Sequence, residues 1–243
     1  MITSSFNDTR FFNISENIKI IKNEIAEAAI KSNRAVDDVR LMAVTKTVCV
    51  EYINYAIDNC GIDLIGENKV QEFLLKKDSL HLNGVEKHLI GHLQTNKVKK
   101  IVNQVDMIQS VDSLRVAQVI SDEAKKTGIT ANILLEINIG GEDSKTGFDK
   151  VEFEESLNQI SLLPNIKVSG LMTIPPICKS TLELEKYFER MSNYYNEIKE
   201  GNYPNFDFEI LSMGMSGDYK EAIIHGSNLV RVGSAIFGAR IYK

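Results

Sequence analysis

Lys46 closes an otherwise apolar run, AVTKT, and shares a strand phase with Val44 and Met42. Lysines at the ends of such runs usually sit in solvent on a rim. Turned inward instead, the side chain is partly desolvated, its ammonium is disfavoured, and the free amine can condense with a carbonyl as a Schiff base. Further on, LSMGMSGDYKEAI (211–223) carries small and hydroxylated residues straight into a helical pattern. Backbone N–H groups and the Ser216 hydroxyl can there meet an anion beside a helix start, although plain helix capping by Ser216 uses the same residues. LVRVGSAIFGAR (229–240) offers a second close backbone approach at Gly233 and Ser234, and Arg231 shares the face of Gly233 by strand alternation. A structural ion pair is the simpler use of that arginine.

Short β-branched runs alternating with helical patterns must position these groups. LMAVTKT (41–47), DLIGEN (63–68), KHLIGHL (87–93), DMIQSV (106–111), ANILLEINI (131–139), IKVSGLMT (166–173), FEILSMG (208–214) and LVRVGSAIF (229–237) are eight strand candidates. They are nearly continuous in apolar residues, as strands buried on both faces must be, and strand–helix alternation implies parallel crossovers. Ahead of them, Ile14, Ile18, Ile21, Ile25 and Ala28 fall on one helical face, which predicts an opening helix to about residue 34 capped at Asn13 or Ser15. The clearest later helix is 181–200, with Leu184, Phe188, Met191, Tyr195 and Ile198 in one stripe behind a Ser180/Glu183 capping box. The expected fold is α/β, a single (β/α)8 TIM barrel over residues 1–243 with an additional N-terminal helix. No linker-like stretch divides it.

In such barrels function gathers at the C-terminal strand ends, and phosphate sites are commonly built from the loops after strands 7 and 8. Ser216, Gly233 and Ser234 fall on those loops. Strand 8 lies beside strand 1 in a closed barrel, roughly 4.8 Å away, so Lys46 and Arg231 face one ligand. An amine, a guanidinium and a phosphate cradle together meet the needs of pyridoxal 5′-phosphate: a Schiff base, a ring-nitrogen partner and an anchor.

Metal binding is not expected. His88 and His92 have helical metal-pair spacing but bracket a strand, which separates them by about 13 Å. GGEDSKTG (140–147) lacks the alternating acidic ligands and terminal Glu of a calcium loop, and reads as a loop over the barrel mouth or a solvated turn. The net charge of −5 is spread without a basic block, so no nucleic-acid partner is expected. Cys49, Cys60 and Cys178 are widely spaced and odd in number, which suits reduced thiols in the cytoplasm. Neither a signal-peptide pattern nor an apolar membrane span is present in the sequence.

AVTKT, GENKVQE (66–72), HLIGHLQTNK (88–97), NIGGEDSKTG (138–147), GLMTIP (170–175), LSMGMSGD (211–218) and VRVGSAIFGAR (230–240) are similar, in order and spacing, to the pyridoxal phosphate homeostasis proteins. The resemblance implies a barrel of the alanine racemase N-terminal type with the cofactor on Lys46. It implies phosphate contacts at Ser216, Gly233 and Ser234, a ring-nitrogen contact at Arg231, and Asn68 beside the cofactor. Thr45 and Ser234 replace a frequent serine and threonine, exchanges that keep a hydroxyl.

Three functions use this set. The resemblance implies a non-catalytic carrier that holds pyridoxal phosphate and delivers it to dependent apoenzymes, with a monomer expected. A pyridoxal-phosphate-dependent amino-acid racemase is the alternative. Those racemases carry a second domain that supplies a tyrosine, whereas this chain stops at Lys243 and offers Lys46 as its evident base. A Schiff-base aldolase acting on a sugar phosphate needs the lysine and the cradle but no ring-nitrogen partner.

Overall fold

A computed structural model describes residues 3–142 and 145–238 of the chain. Among them eight parallel strands, β1 (Arg40–Val44), β2 (Leu64–Glu67), β3 (Glu86–Leu89), β4 (Met107–Val111), β5 (Ala131–Ile137), β6 (Ile166–Thr173), β7 (Phe206–Met215) and β8 (Leu229–Val232), close into a barrel in chain order. The closing pair sets Met42 beside Arg231 and Ala43 beside Val232. The fold is therefore the single parallel (β/α)8 barrel that the strand–helix alternation predicts.

α1 (Thr3–Lys31) packs outside the barrel. The other helices are α2 (Val50–Cys60), α3 (Val70–Lys76), α4 (Val98–Ile101), α5 (Leu114–Thr127), α6 (Lys150–Ser161), α7 (Thr181–Glu200), α8 (Tyr219–Ile224) and α9 (Ser234–Phe237). Strand alternation splits the apolar residues between two layers. Ile133, Leu135 and Ile137 face the helices, while Leu134 joins Met107 and Met172 inside the barrel. Met42, Val44, Leu64, Ile90 and Leu229 form the neighbouring interior cluster.

The stripe Ile14, Ile18, Ile21, Ile25 and Ala28 is buried as its spacing predicts. Each such isoleucine removed from water contributes about 1.5–3 kcal/mol. The helix nevertheless begins at Thr3, so Asn13 and Ser15 are interior positions and not caps. Phe11, one more position of the same stripe, anchors the turn before Asn13, its ring 5.4 Å from Tyr52 and 4.6 Å from Tyr55 on α2. Ser15 hydrogen-bonds the Tyr55 hydroxyl at 2.9 Å. α7 starts behind Ser180, whose hydroxyl accepts from the Glu183 amide, while the Glu183 carboxylate takes the Lys179 amide instead of closing a box on Ser180.

Three strands end three or more residues before their apolar runs do, β3 among them, at Leu89 where the run continues to Leu93. β1 ends at Val44, and Thr45, Lys46 and Thr47 form the turn beyond it. β8 ends at Val232, and residues 234–237 are helical because Ile236 and Phe237 are buried with Ile14 and Ile18 of α1 instead of extending the barrel wall. Among the described residues no helix is long and apolar enough to cross a membrane. No group of metal-ligating side chains occurs among them either, and His88 lies within β3 while His92 pairs with Asp112 at 2.7 Å.

Candidate functional site

The turn after β1 is held by charges that the strand pattern does not reveal. Lys76, on α3, donates to the Thr45 carbonyl at 2.9 Å, to Glu67 at 2.9 Å and to Glu72 at 2.6 Å. The Thr45 hydroxyl also donates to Glu67, and the Thr47 amide donates to Glu72. Thr47 takes φ of +63°, a left-handed conformation that a β-branched residue keeps only under such restraint. Burial raises the proton affinity of Glu67, with Lys76 opposing it. GENKVQE carries both glutamates of this cluster, and Lys76 pairs with Glu72 at helical i,i+4 spacing, a signal legible in principle.

Asn68 follows β2. Its backbone runs under Gly91, where a Cβ would stand 2.4 Å from the Asn68 carbonyl oxygen, so only glycine permits the approach. The Asn68 Oδ1 atom is buried and has no hydrogen-bond partner. Such an atom costs free energy unless a ligand or water meets it.

The loops after β7 and β8 meet at the Ser216 hydroxyl. Its Oγ accepts from the amides of Gly233 at 3.2 Å and Ala235 at 3.3 Å. Ser216 thus caps α9, across the loop, and not the helix that follows it, whose N-cap is Asp218. Gly214, at φ of +91°, leaves no room for a side chain between itself and Tyr219 and Ala222, which brings α8 close behind this loop. At Gly233 a Cβ would stand 3.2 Å from the Val44 side chain.

Arg231 is buried on the interior face of β8. Its two terminal nitrogens donate to the Ser212 hydroxyl at 2.7 Å and the Thr173 carbonyl at 2.8 Å. Burial lowers its proton affinity to about 10 against the pull of Glu136 and Asp218, so it is a cation at neutral pH.

These groups converge. One cavity of about 310 Å³ is lined by Lys46, Asn68, Ser216, Arg231, Gly233 and Ser234, all six positions singled out in the sequence. Ile90, Ile174 and Met215 add an apolar wall that sequence reasoning did not select. The size is at the lower end of ligand pockets, and the mix of apolar wall and few convergent polar groups is typical of them. An amine, a guanidinium, two glycine-containing loops and an unpartnered amide oxygen suit a small ligand carrying both a carbonyl and an anionic group.

Known proteins match this chain over nearly its whole length. The family model described as the alanine racemase N-terminal domain matches residues 13–241. A pyridoxal phosphate homeostasis protein of Aquifex aeolicus is 38% identical over 230 residues, covering 95% of this chain and all of that protein. A solved structure of an unknown protein from Bifidobacterium adolescentis is 36% identical with a TM-score of 0.90, covering 95% of this chain and 96% of the other. PipY of Synechococcus elongatus PCC7942, solved with PLP bound, is 32% identical with a TM-score of 0.78, covering 88% of this chain and all of that one. With its barrel, its strand-end motifs and this degree of identity over nearly its whole length, the chain belongs to the pyridoxal phosphate homeostasis protein family.

Proposed function

We propose that this chain holds pyridoxal 5′-phosphate at the barrel mouth and delivers it to enzymes that depend on it. In this reading it is a monomeric, single-domain carrier over residues 1–243, working in the cytoplasm in vitamin B6 homeostasis and not as a metabolic enzyme. The observation that carries the reading is the gathering of Lys46, Arg231, Ser216, Gly233 and Ser234 around one cavity beside the unpartnered Oδ1 of Asn68. The relative solved with PLP bound supports the choice of ligand.

The residues present fit that cofactor. When bound, pyridoxal phosphate supplies an aldehyde that condenses with a primary amine with loss of water. Lys46 is the amine that would hold it as a Schiff base, on a turn that Lys76 and Glu72 restrain. Ser216, Gly233 and Ser234 would hold the phosphate through hydroxyls and backbone N–H groups, the Gly233 N–H being the one that now donates to Ser216. Arg231, whose two terminal nitrogens already hold Ser212 and Thr173, would meet the ring nitrogen with its remaining donors. Because a guanidinium only donates, it leaves that nitrogen without a proton of its own and weakens the ring as an electron sink. Asn68 stands beside the cofactor, and Ile90 and Met215 keep water from one side of the cavity.

Racemisation requires proton exchange on both faces of a carbon, hence two bases. Among the described residues that line the cavity, Lys46 and Arg231 are the ionisable ones, which supports a carrier over a racemase. The test is to load the purified protein with pyridoxal phosphate, mix it with a dependent apoenzyme, and follow activation beside a search for racemase, transaminase and decarboxylase turnover. The expected result is transfer, with no turnover near the roughly 10 per second of a median enzyme. Turnover at that rate, abolished by Lys46→Ala and surviving removal of contaminating enzymes, would overturn the proposal.

A further inference from the structure

A line of polar side chains crosses the interior of the barrel beneath the cavity. Arg231 of β8 donates to the Ser212 hydroxyl of β7 at 2.7 Å, and Ser212 donates to Gln109 Oε1 of β4 at 2.7 Å. Gln109 Nε2 stands 2.8 Å from Nδ1 of His88 on β3. Four strands contribute one residue each, and all four side chains are buried among apolar interior residues. The His88 Nε2 atom has no hydrogen bond of good geometry, and a Glu86 carboxylate oxygen lies 3.3 Å away. Glu86 in turn is gripped by Arg40 of β1 at 3.0 Å from both its oxygens.

The chemistry of the groups gives this line a direction. A guanidinium has donors and no acceptor, so Ser212 must accept from Arg231. In the structure the single Ser212 hydrogen goes to Gln109 Oε1, and this places the Gln109 NH2 towards His88. His88 Nδ1 must therefore present a lone pair, and its hydrogen sits on Nε2, facing Glu86. Every link donates away from Arg231, and a proton on His88 Nδ1 would oppose the Gln109 NH2 and break the series. Around the ring stand Glu86 on its own strand, Arg40 from β1 and Asp106 from the turn before β4. Burial disfavours the imidazolium, in keeping with the neutral ring that the series demands.

We propose that His88, acting through Gln109 and Ser212, is a positioning residue that fixes the orientation of the Arg231 guanidinium at the cofactor cavity. The inference rests on the proposed pyridoxal phosphate site for its functional meaning and on hydrogen-bond geometry for its existence. Arg231 cannot rotate about its last bonds without forfeiting Ser212 or Thr173, so its remaining donors keep one aim. Loss of a hydrogen bond to a charged group from this series should loosen that aim by about tenfold or more in the populations concerned.

Two measurements test it. In cofactor-free wild-type protein at pH 7, nitrogen-15 spectra should show His88 neutral with its hydrogen on Nε2, and the Arg231 side-chain N–H exchange should be slowed. Ser212→Ala and Gln109→Leu should speed that exchange about tenfold, and Ser212→Thr, which keeps the hydroxyl, should restore it. A hydrogen on Nδ1, or exchange unchanged in both disrupting variants, would overturn the proposal. With pyridoxal phosphate added, Ser212→Ala should also shift the pH profile of the visible absorption band, and Ser212→Thr should not. Failure of the wild type to develop that band would count against the cofactor site, while the spectra of the cofactor-free protein still decide whether the series holds Arg231.

Discussion

The ammonium of Lys76 donates to the carbonyl oxygen of Thr45 at 2.9 Å, which fixes the peptide unit that leads into Lys46. The same ammonium neutralises Glu67, whose side chain is 2% exposed. Removing one partner of a buried pair leaves the other charge uncompensated and costs about 3–5 kcal/mol. Lys76→Met should lower the unfolding free energy, measured by denaturant titration, by that order at neutral pH. Burial already raises the proton affinity of Glu67. A carboxyl raised in the folded state loses stability as pH rises, so the deficit should shrink towards pH 4. A deficit that stays constant across this range would contradict the assignment.

The phosphate reading places Ser216 and Gly233 at the anchoring end of the ligand. Ser216→Ala removes a hydroxyl from the point where the Gly233 and Ala235 amides meet. Gly233→Val drives a side chain towards Val44. A hydrogen bond to a charged group is worth about 1.5–3 kcal/mol, so pyridoxal phosphate should bind at least roughly tenfold more weakly to either variant. Unphosphorylated pyridoxal should be affected far less, as titrations of both ligands would show. Equal losses for the two would move the phosphate elsewhere.

Glu86 ties the polar series to the N-terminal face of the barrel. The contact from His88 and then the Arg40 pair hold its carboxyl down to about 2, against an ordinary value of 4.5. A depressed carboxyl contributes stability that is present above 4.5 and is lost as pH falls through about 2. Stability curves of the wild type and Glu86→Gln should therefore differ most above pH 4.5 and converge between there and pH 2. A gap that persists unchanged to pH 2 would show that Glu86 is not so held.

Much of this was legible in the sequence because burial on both faces leaves a plain trace. Most of the strands lie in runs rich in apolar residues, although β3 itself reads EKHL, and Lys46 and Arg231 stand out as charges on such runs. Alternation set Arg231 on the face of Gly233, and closure of the barrel brought β8 to β1. The clamp of Glu67 and Lys76 is not legible in the sequence, because it joins a strand end to a helix face and shows only when the two are packed. The series from His88 to Ser212 was missed for a similar reason. Periodicity treats one inward polar residue per strand as an interruption, and its partners come from strands distant in the chain. Asn68 was reached through the family resemblance alone, since nothing in its neighbours marks its Oδ1 as unpartnered. Phe11, which extends the stripe of α1 towards its start, meets Tyr52 and Tyr55, a contact that becomes visible once α2 is in place.

The proposed carrier role rests on Lys46. Protein loaded with pyridoxal phosphate, reduced with borohydride and digested should yield a phosphopyridoxyl group on the peptide carrying that residue. Lys46→Ala should give no such adduct and no visible absorption band, while its circular dichroism and unfolding midpoint stay close to wild type, since truncating a side chain at the barrel mouth opens no core cavity. An adduct found reproducibly on another lysine of the native protein, or an unaltered absorption band in Lys46→Ala, would contradict it.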